Sequence, residues 1–207
     1  MSRALIIWPH QLFEKHPGLD QAPDRVVLFE DPLFFGDARY PMRFHKQKLW
    51  LHRASMAHYR ARLEDEGHEV MVHGYQYEEK AVDKLLGELK DDGVEALIAA
   101  DPVDFTATKR LRRAADDHGM ELEWLASPGW LNTSEQNKEW SAGRKRWYMA
   151  EYYKTQRRTL DILMDGDEPV GGKWSFDEDN RKKVPKKLYD EIPELPGISH
   201  DEIDEKA

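Results

Sequence analysis

Apolar positions in the first half of the chain follow two alternating rhythms. Ala4-Leu5-Ile6-Ile7-Trp8 and Val26-Val27-Leu28-Phe29 are short unbroken runs, the mark of strands covered on both faces in a parallel sheet. Glu69-Val70-Met71-Val72-His73, Ala96-Leu97-Ile98-Ala99-Ala100 and Leu122-Glu123-Trp124-Leu125 supply three more. Between them apolar residues recur at helical spacing. His45 to Glu66 carries Leu49, His52, Met56, Tyr59 and Leu63 on one face, Glu78 to Asp92 carries Val82, Leu85, Leu86 and Leu89, and Phe105 to His118 forms a third helix. Gly67, Gly93 and Gly119 follow these helices, where a left-handed C-cap is expected. Three helix–glycine–strand punctuations predict repeated βα units. The implied fold is α/β, a doubly wound five-stranded parallel sheet of Rossmann-like type.

After Ser127-Pro128-Gly129 the pattern changes. Residues 132–141 are polar around Trp140, and Arg144 to Met164 reads as one long helix. Gly166 and Pro169-Val170-Gly171-Gly172-Lys173-Trp174 break it, and from Asp177 the chain is charged and punctuated by Pro185, Pro193 and Pro196. The organisation expected is one domain over 1–164, closed by the long helix, and an arm or linker over 165–207 with little core of its own. No apolar run nears the roughly 20 residues that cross a bilayer. The N-terminal stretch ends in Trp8-Pro9-His10 rather than a small-residue cleavage site, and reads as a strand, not a signal peptide.

Composition narrows the chemistry. The 207 residues include no cysteine, so this chain offers no disulfide, thiolate nucleophile or thiolate ligand for iron–sulfur or zinc, which fits the cytoplasm. A formal charge of −9 argues against non-specific nucleic-acid binding by the domain as a whole. No G-x-G-x-x-G, P-loop, H-E-x-x-H or G-x-S-x-G motif occurs, which disfavours dinucleotide binding, phosphate transfer, zinc proteolysis and serine hydrolysis.

In doubly wound sheets ligands bind beyond the carboxyl ends of the strands. Pro9-His10-Gln11, Glu30-Asp31, His73-Gly74 and Asp101-Pro102 fall there. His10 reads as a polar contact for a ring ligand or as an ordinary loop histidine, and Glu30 as an acceptor for a ring N–H or a helix cap. His52, on an apolar stripe, reads first as a core histidine unless its helix lines a pocket. Arg144 to Arg158 is a different kind of signal, with six basic residues, one acidic residue and four aromatics. Arg144, Lys145, Lys154, Arg157 and Arg158 suit phosphate contacts among stacking rings. The alternative is a helix whose aromatics pack inward while its arginines stay solvated.

Glu139-Trp140-Ser141-Ala142-Gly143-Arg144-Lys145, Met149-Ala150-Glu151-Tyr152-Tyr153, Arg157-Arg158 and Leu163-Met164 resemble the prokaryotic photolyase-related proteins, which include bacterial (6-4) photolyases and related cryptochromes. So do Glu168 to Asp177, Asn180-Arg181, His45-Lys46-Gln47-Lys48-Leu49 with Ala54-Ser55-Met56, and Gln11-Leu12. The resemblance covers the chain but only the front of the family's proteins. It implies the antenna domain of a light-dependent DNA-repair protein of iron–sulfur type, with the helical domain that holds FAD and the cluster lying outside this chain. Neither FAD nor a cluster is expected here, and no residue of this chain is expected to be catalytic. The resemblance also implies a groove for 6,7-dimethyl-8-ribityllumazine or a similar flavin-like ring, built from His10, Gln11, Phe29, Glu30, Leu49 and His52. The chain departs from the family in having Pro9-His10 before Gln11-Leu12 and a more aromatic loop over 31–44.

Two further readings stand beside the antenna. One is a chromophore-free adaptor that binds damaged DNA or a partner protein through 144–158. The other, a small-molecule enzyme on the same fold, lacks a base–nucleophile pair. The partners expected are a helical FAD-binding domain or separate photolyase subunit, DNA, or a second copy through an apolar face.

Overall fold

A computed structural model describes residues 2–175, 177, 181–197 and 199–206. The elements run β1 (Ser2–Ile7), β2 (Arg25–Phe29), α1 (Pro32–Phe35), α2 (Lys46–Asp65), β3 (Val70–His73), α3 (Ala81–Asp91), β4 (Val94–Ala100), α4 (Phe105–His118) and β5 (Glu121–Leu125). They continue with α5 (Ser134–Ser141), α6 (Met149–Leu160), β6 (Met164–Asp165), β7 (Glu168–Pro169) and α7 (Glu202–Lys206). Two compact units result, one of Met1–Thr133 with Ser199–Ala207 and one of Ser134–Ile198. Packing thus divides the chain where the last strand of the sheet ends. The boundary read at 164/165 instead follows the loss of apolar periodicity.

In the first unit the strands lie in the order β3-β2-β1-β4-β5, all parallel. The fold is the α/β doubly wound sheet, and strand order reverses between β1 and β4. Alternate residues of β1 supply the two faces of the core. Ala4, Ile6 and Trp8 join Leu85, Leu86, Leu89 and Leu111 from α3 and α4, while Leu5 and Ile7 join Met56, Tyr59 and Leu63 from α2. Each fully buried Leu or Ile contributes roughly 1.5–3 kcal/mol relative to exposure, so a register slip of one residue would be costly. Helix α4 shows how the ends are set. The Asp104 side chain accepts from Ala107 N at 2.8 Å, and Gly119 closes the helix at φ 63°, where a side chain would be strained. Strand β5 forms one edge, with Glu121 and Glu123 exposed and Glu123 paired to Arg3 at 2.6 Å.

The second unit is built around aromatic and polar contacts. Trp140 meets Tyr152 edge-on at 4.9 Å and donates to Thr155 Oγ1 at 3.3 Å, while Tyr152 donates to Asn137 Oδ1 at 2.8 Å. The helix expected over 144–164 is α6, shorter at both ends. Gly143 (φ 71°) precedes it, and Asp161 (φ 52°) and Leu163 (φ 54°) turn the chain out of it into the β6–β7 hairpin. Of the sequence signals over 165–207, Phe176 and Asn180 lie outside the described residues. Among the described residues no helix is long and apolar enough to cross a membrane.

Candidate functional site

The loop after β1 is sewn across the point where strand order reverses. Gln11 Nε2 donates to the carbonyls of Ala100 and Asp101, both at 3.1 Å, and His10 Nε2 lies 3.0 Å from the carbonyl of Pro102. Gln11 is buried, and its Oε1 has no hydrogen-bond partner among the described residues. Trp8 Nε1 donates to buried Asp31 at 2.9 Å, which ties the same loop to the start of α1. Burial raises the pKa of Asp31, against the bonds from Leu33 N and Trp8.

Five rings form a row here. His10 stacks on Phe34 with centroids 4.7 Å apart, and Phe34 meets His52 edge-on at 6.3 Å. Phe35 lies 5.7 Å from His52 and stacks on Tyr75 at 5.9 Å. Desolvation lowers the pKa of both histidines. At His10 the carbonyl of Pro102 and the charge of Asp104 oppose the shift, whereas at His52 the charges of Lys48 and His10 add to it. Both shifts favour the neutral form of the imidazoles. His52 Nε2 is buried and has no partner among the described residues.

Three contacts hold the loop that carries Phe34 and Phe35. Asp37, only 4% exposed, takes a two-point bond from Arg110, one arm at 3.1 Å, and accepts from Arg39 N and Tyr40 N at 2.9 and 2.8 Å. Tyr75 Oη donates to the carbonyl of Gly36 at 2.9 Å. Burial pushes the pKa of Asp37 up, but Arg110 and the two backbone donors outweigh it and leave the carboxyl below its ordinary value.

Of the six residues expected to bind a chromophore, His10 and His52 come together in the ring row, and Gln11 adjoins it in the chain. Glu30 flanks it with both oxygens engaged, accepting from Tyr75 N at 2.7 Å and from Arg53 Nε at 3.3 Å. Leu49 is half-buried against the core on the α2 side. Phe29 is buried on the opposite face of the sheet, beside His73. Phe34, Phe35 and Tyr75 were missed. The pair Phe34-Phe35 beside Gly36 was visible in the sequence, but nothing in its spacing placed it between two histidines. Phe34 now lies against His10 where a ring ligand was expected.

The basic segment is largely committed to its own unit. Arg157 is 5% exposed and donates to the carbonyls of Ile162, Leu163 and Trp174. Arg158 lies over the Trp174 ring at 4.4 Å, and Arg144 lies over Trp140 at 4.4 Å while donating to its carbonyl. Lys154 pairs with Glu151 at 2.9 Å, and Lys145 is exposed. Arg157 thus spends three of its five N–H donors on carbonyls of its own unit, whereas the sequence reading set it among the phosphate contacts.

Sheet order and its flanking helices define a doubly wound α/β domain with a row of rings past the strand ends. The chain belongs to the family described as deoxyribodipyrimidine photo-lyase-related protein, whose model matches residues 5–207. It is similar to an uncharacterized protein of Acanthamoeba polyphaga mimivirus, 32% identical over 196 residues that cover 91% of this chain and 98% of the viral protein. It is also similar to a (6-4) photolyase of Agrobacterium fabrum, 28% identical over 190 residues, 90% of this chain but 36% of that enzyme. The match thus spans little more than a third of the bacterial enzyme and nearly all of the viral protein.

Proposed function

We propose that this chain is an antenna-type domain that seats a flavin-like ring beside His10 and His52 and serves a light-dependent DNA-repair system, with the repair chemistry on a helical FAD-binding domain or subunit outside residues 1–207. The observation that carries this reading is the row of rings at the strand-order reversal, with His52 Nε2 in the row and Gln11 Oε1 next to His10 in the chain both buried and without a partner among the described residues. An unmet buried polar atom costs about 1–3 kcal/mol. The pyrimidine edge of a lumazine or flavin, with N–H and C=O side by side, offers partners of both kinds. The bound ring would supply light absorption and transfer of excitation energy. This chain's residues would hold it by stacking on His10, by Gln11 Oε1 accepting from a ring N–H and by a hydrogen bond at His52 Nε2.

Phe34 acts in this reading as the ring that fills the seat until a ligand displaces it. Such displacement moves one half-buried side chain at the end of a four-residue helix. The test is a fluorescence titration of the purified chain with 6,7-dimethyl-8-ribityllumazine and with riboflavin. Saturable binding of one ring per chain is expected, about 3- to 10-fold weaker in His10→Ala, as loss of one stacking partner implies, and tighter in Phe34→Ala. If neither ring binds to wild type or to Phe34→Ala, the antenna reading is wrong.

A further inference from the structure

The C-terminal segment folds back on α2 and brings metal-binding side chains with it. Asp201 opens α7, its Oδ1 accepting from Ile203 N at 2.9 Å and Asp204 N at 3.1 Å. Trp50 Nε1 donates to the carbonyl of Asp204 at 2.9 Å, and the His200 ring meets Trp50 edge-on at 5.7 Å. This docking sets His58 Nε2 at 3.1 Å from Asp204 Oδ1 and 3.6 Å from Asp201 Oδ1. The three donor atoms lie within 4.8 Å of one another, and His200 Nδ1 stands 3.6 Å from the other oxygen of Asp204.

We propose that His58, Asp201 and Asp204, with His200 set against the second oxygen of Asp204, form a binding site for a divalent transition ion of the zinc class that fastens α7 to α2. Geometry is the first support. An ion held tetrahedrally at about 2.0–2.2 Å places its ligand atoms roughly 3.4 Å apart, and the gaps of 3.1 and 3.6 Å bracket that spacing. Charge is the second. An ion-bound imidazole is unprotonated, so the two carboxylates give the liganded set a charge of −2, which one dication cancels. Ligand type is the third, because imidazole nitrogens favour zinc, nickel or copper, whereas magnesium and calcium want oxygen alone. His58, Asp201 and His200 are exposed, so an ion reaches the site from solvent without rearrangement of the core.

The site has a structural consequence independent of the antenna reading. Helix α7 contributes Ile203 and Lys206 to a cavity of about 370 Å³ whose other walls include Glu30, Arg53, Met56 and Val72. An ion bound at the cluster fixes that wall of the cavity against α2.

The test is calorimetric titration of the full chain with Zn²⁺ in metal-free buffer, with Mg²⁺ in parallel. One Zn²⁺ per chain is expected, at least 10-fold weaker in His58→Gln and in Asp204→Asn, with no comparable Mg²⁺ event. Zn²⁺ should also slow proteolysis after residue 198 in wild type but not in His58→Gln. If either variant melts abnormally without metal, Asp201→Asn and His200→Ala replace it. Absence of Zn²⁺ binding, equal affinity in wild type and variants, or equal binding of Mg²⁺ would each overturn the proposal.

Discussion

His16 sits in the loop between β1 and β2 that also carries His10 and Gln11, and it is only 1% exposed. Its Nδ1 accepts from Gly18 N at 3.1 Å, while its Nε2 has no partner among the described residues. Burial lowers its pKa from 6.5 to about 4. In the unfolded chain the ring takes up a proton near pH 6.5, and in the folded chain only near pH 4. Between those values the unfolded state holds the extra proton, so stability rises with pH. The contribution is complete above pH 6.5 and is lost as pH falls towards 4. Each pH unit in that window is worth about 1.4 kcal/mol, so the whole effect is about 3 kcal/mol. His16→Asn isolates it, because the amide oxygen can accept from Gly18 N as an Asx turn but does not titrate. Urea unfolding of both proteins, followed by circular dichroism from pH 7.5 to about pH 4, should give a stability difference that shrinks steadily on acidification, since carboxylates common to both cancel. A difference independent of pH would refute the argument.

Replacing Asp37 by Ala should cost about 3–5 kcal/mol in chemical denaturation, because Arg110, 18% exposed at its side chain, would be left inside without its counter-charge. A cost below about 1 kcal/mol would mean the pair behaves as a solvated one. Arg157→Ala should lower the melting temperature through loss of three carbonyl partners while leaving any affinity for DNA unchanged. Loss of DNA binding at an unaltered melting temperature would restore Arg157 as a phosphate contact.

The sheet was legible because its signals are local. The inner strands are apolar runs and a glycine follows each of α2, α3 and α4, and both signals come from the chain's own periodicity without reference to distant residues. The ring row was only half legible. His10 was marked by its place after β1, yet its stacking partner Phe34 comes from the segment after β2, held there by Asp31 and Asp37 through bonds to Trp8 and Arg110. Those bonds span 23 and 73 residues, and no periodicity reports them. The burial of Arg157 was not legible, for the opposite reason. Among aromatics, a buried arginine that satisfies carbonyls and an exposed one that waits for phosphate have the same sequence pattern, and burial alone tells them apart. Glu30 was correctly placed at a strand end, but the backbone N–H it serves belongs to Tyr75 of this chain.

The position of β5 as the last strand of the sheet bears on how copies of this molecule meet. A parallel sheet that ends in an unprotected strand invites the same strand of another molecule to add on, the first step towards fibrous aggregation. Here Glu121 and Glu123 stand exposed along that margin, Glu123 paired to Arg3, so two such borders laid side by side would bring like-charged Glu121 side chains together. Growth of the sheet from one molecule into the next is thereby disfavoured on this side.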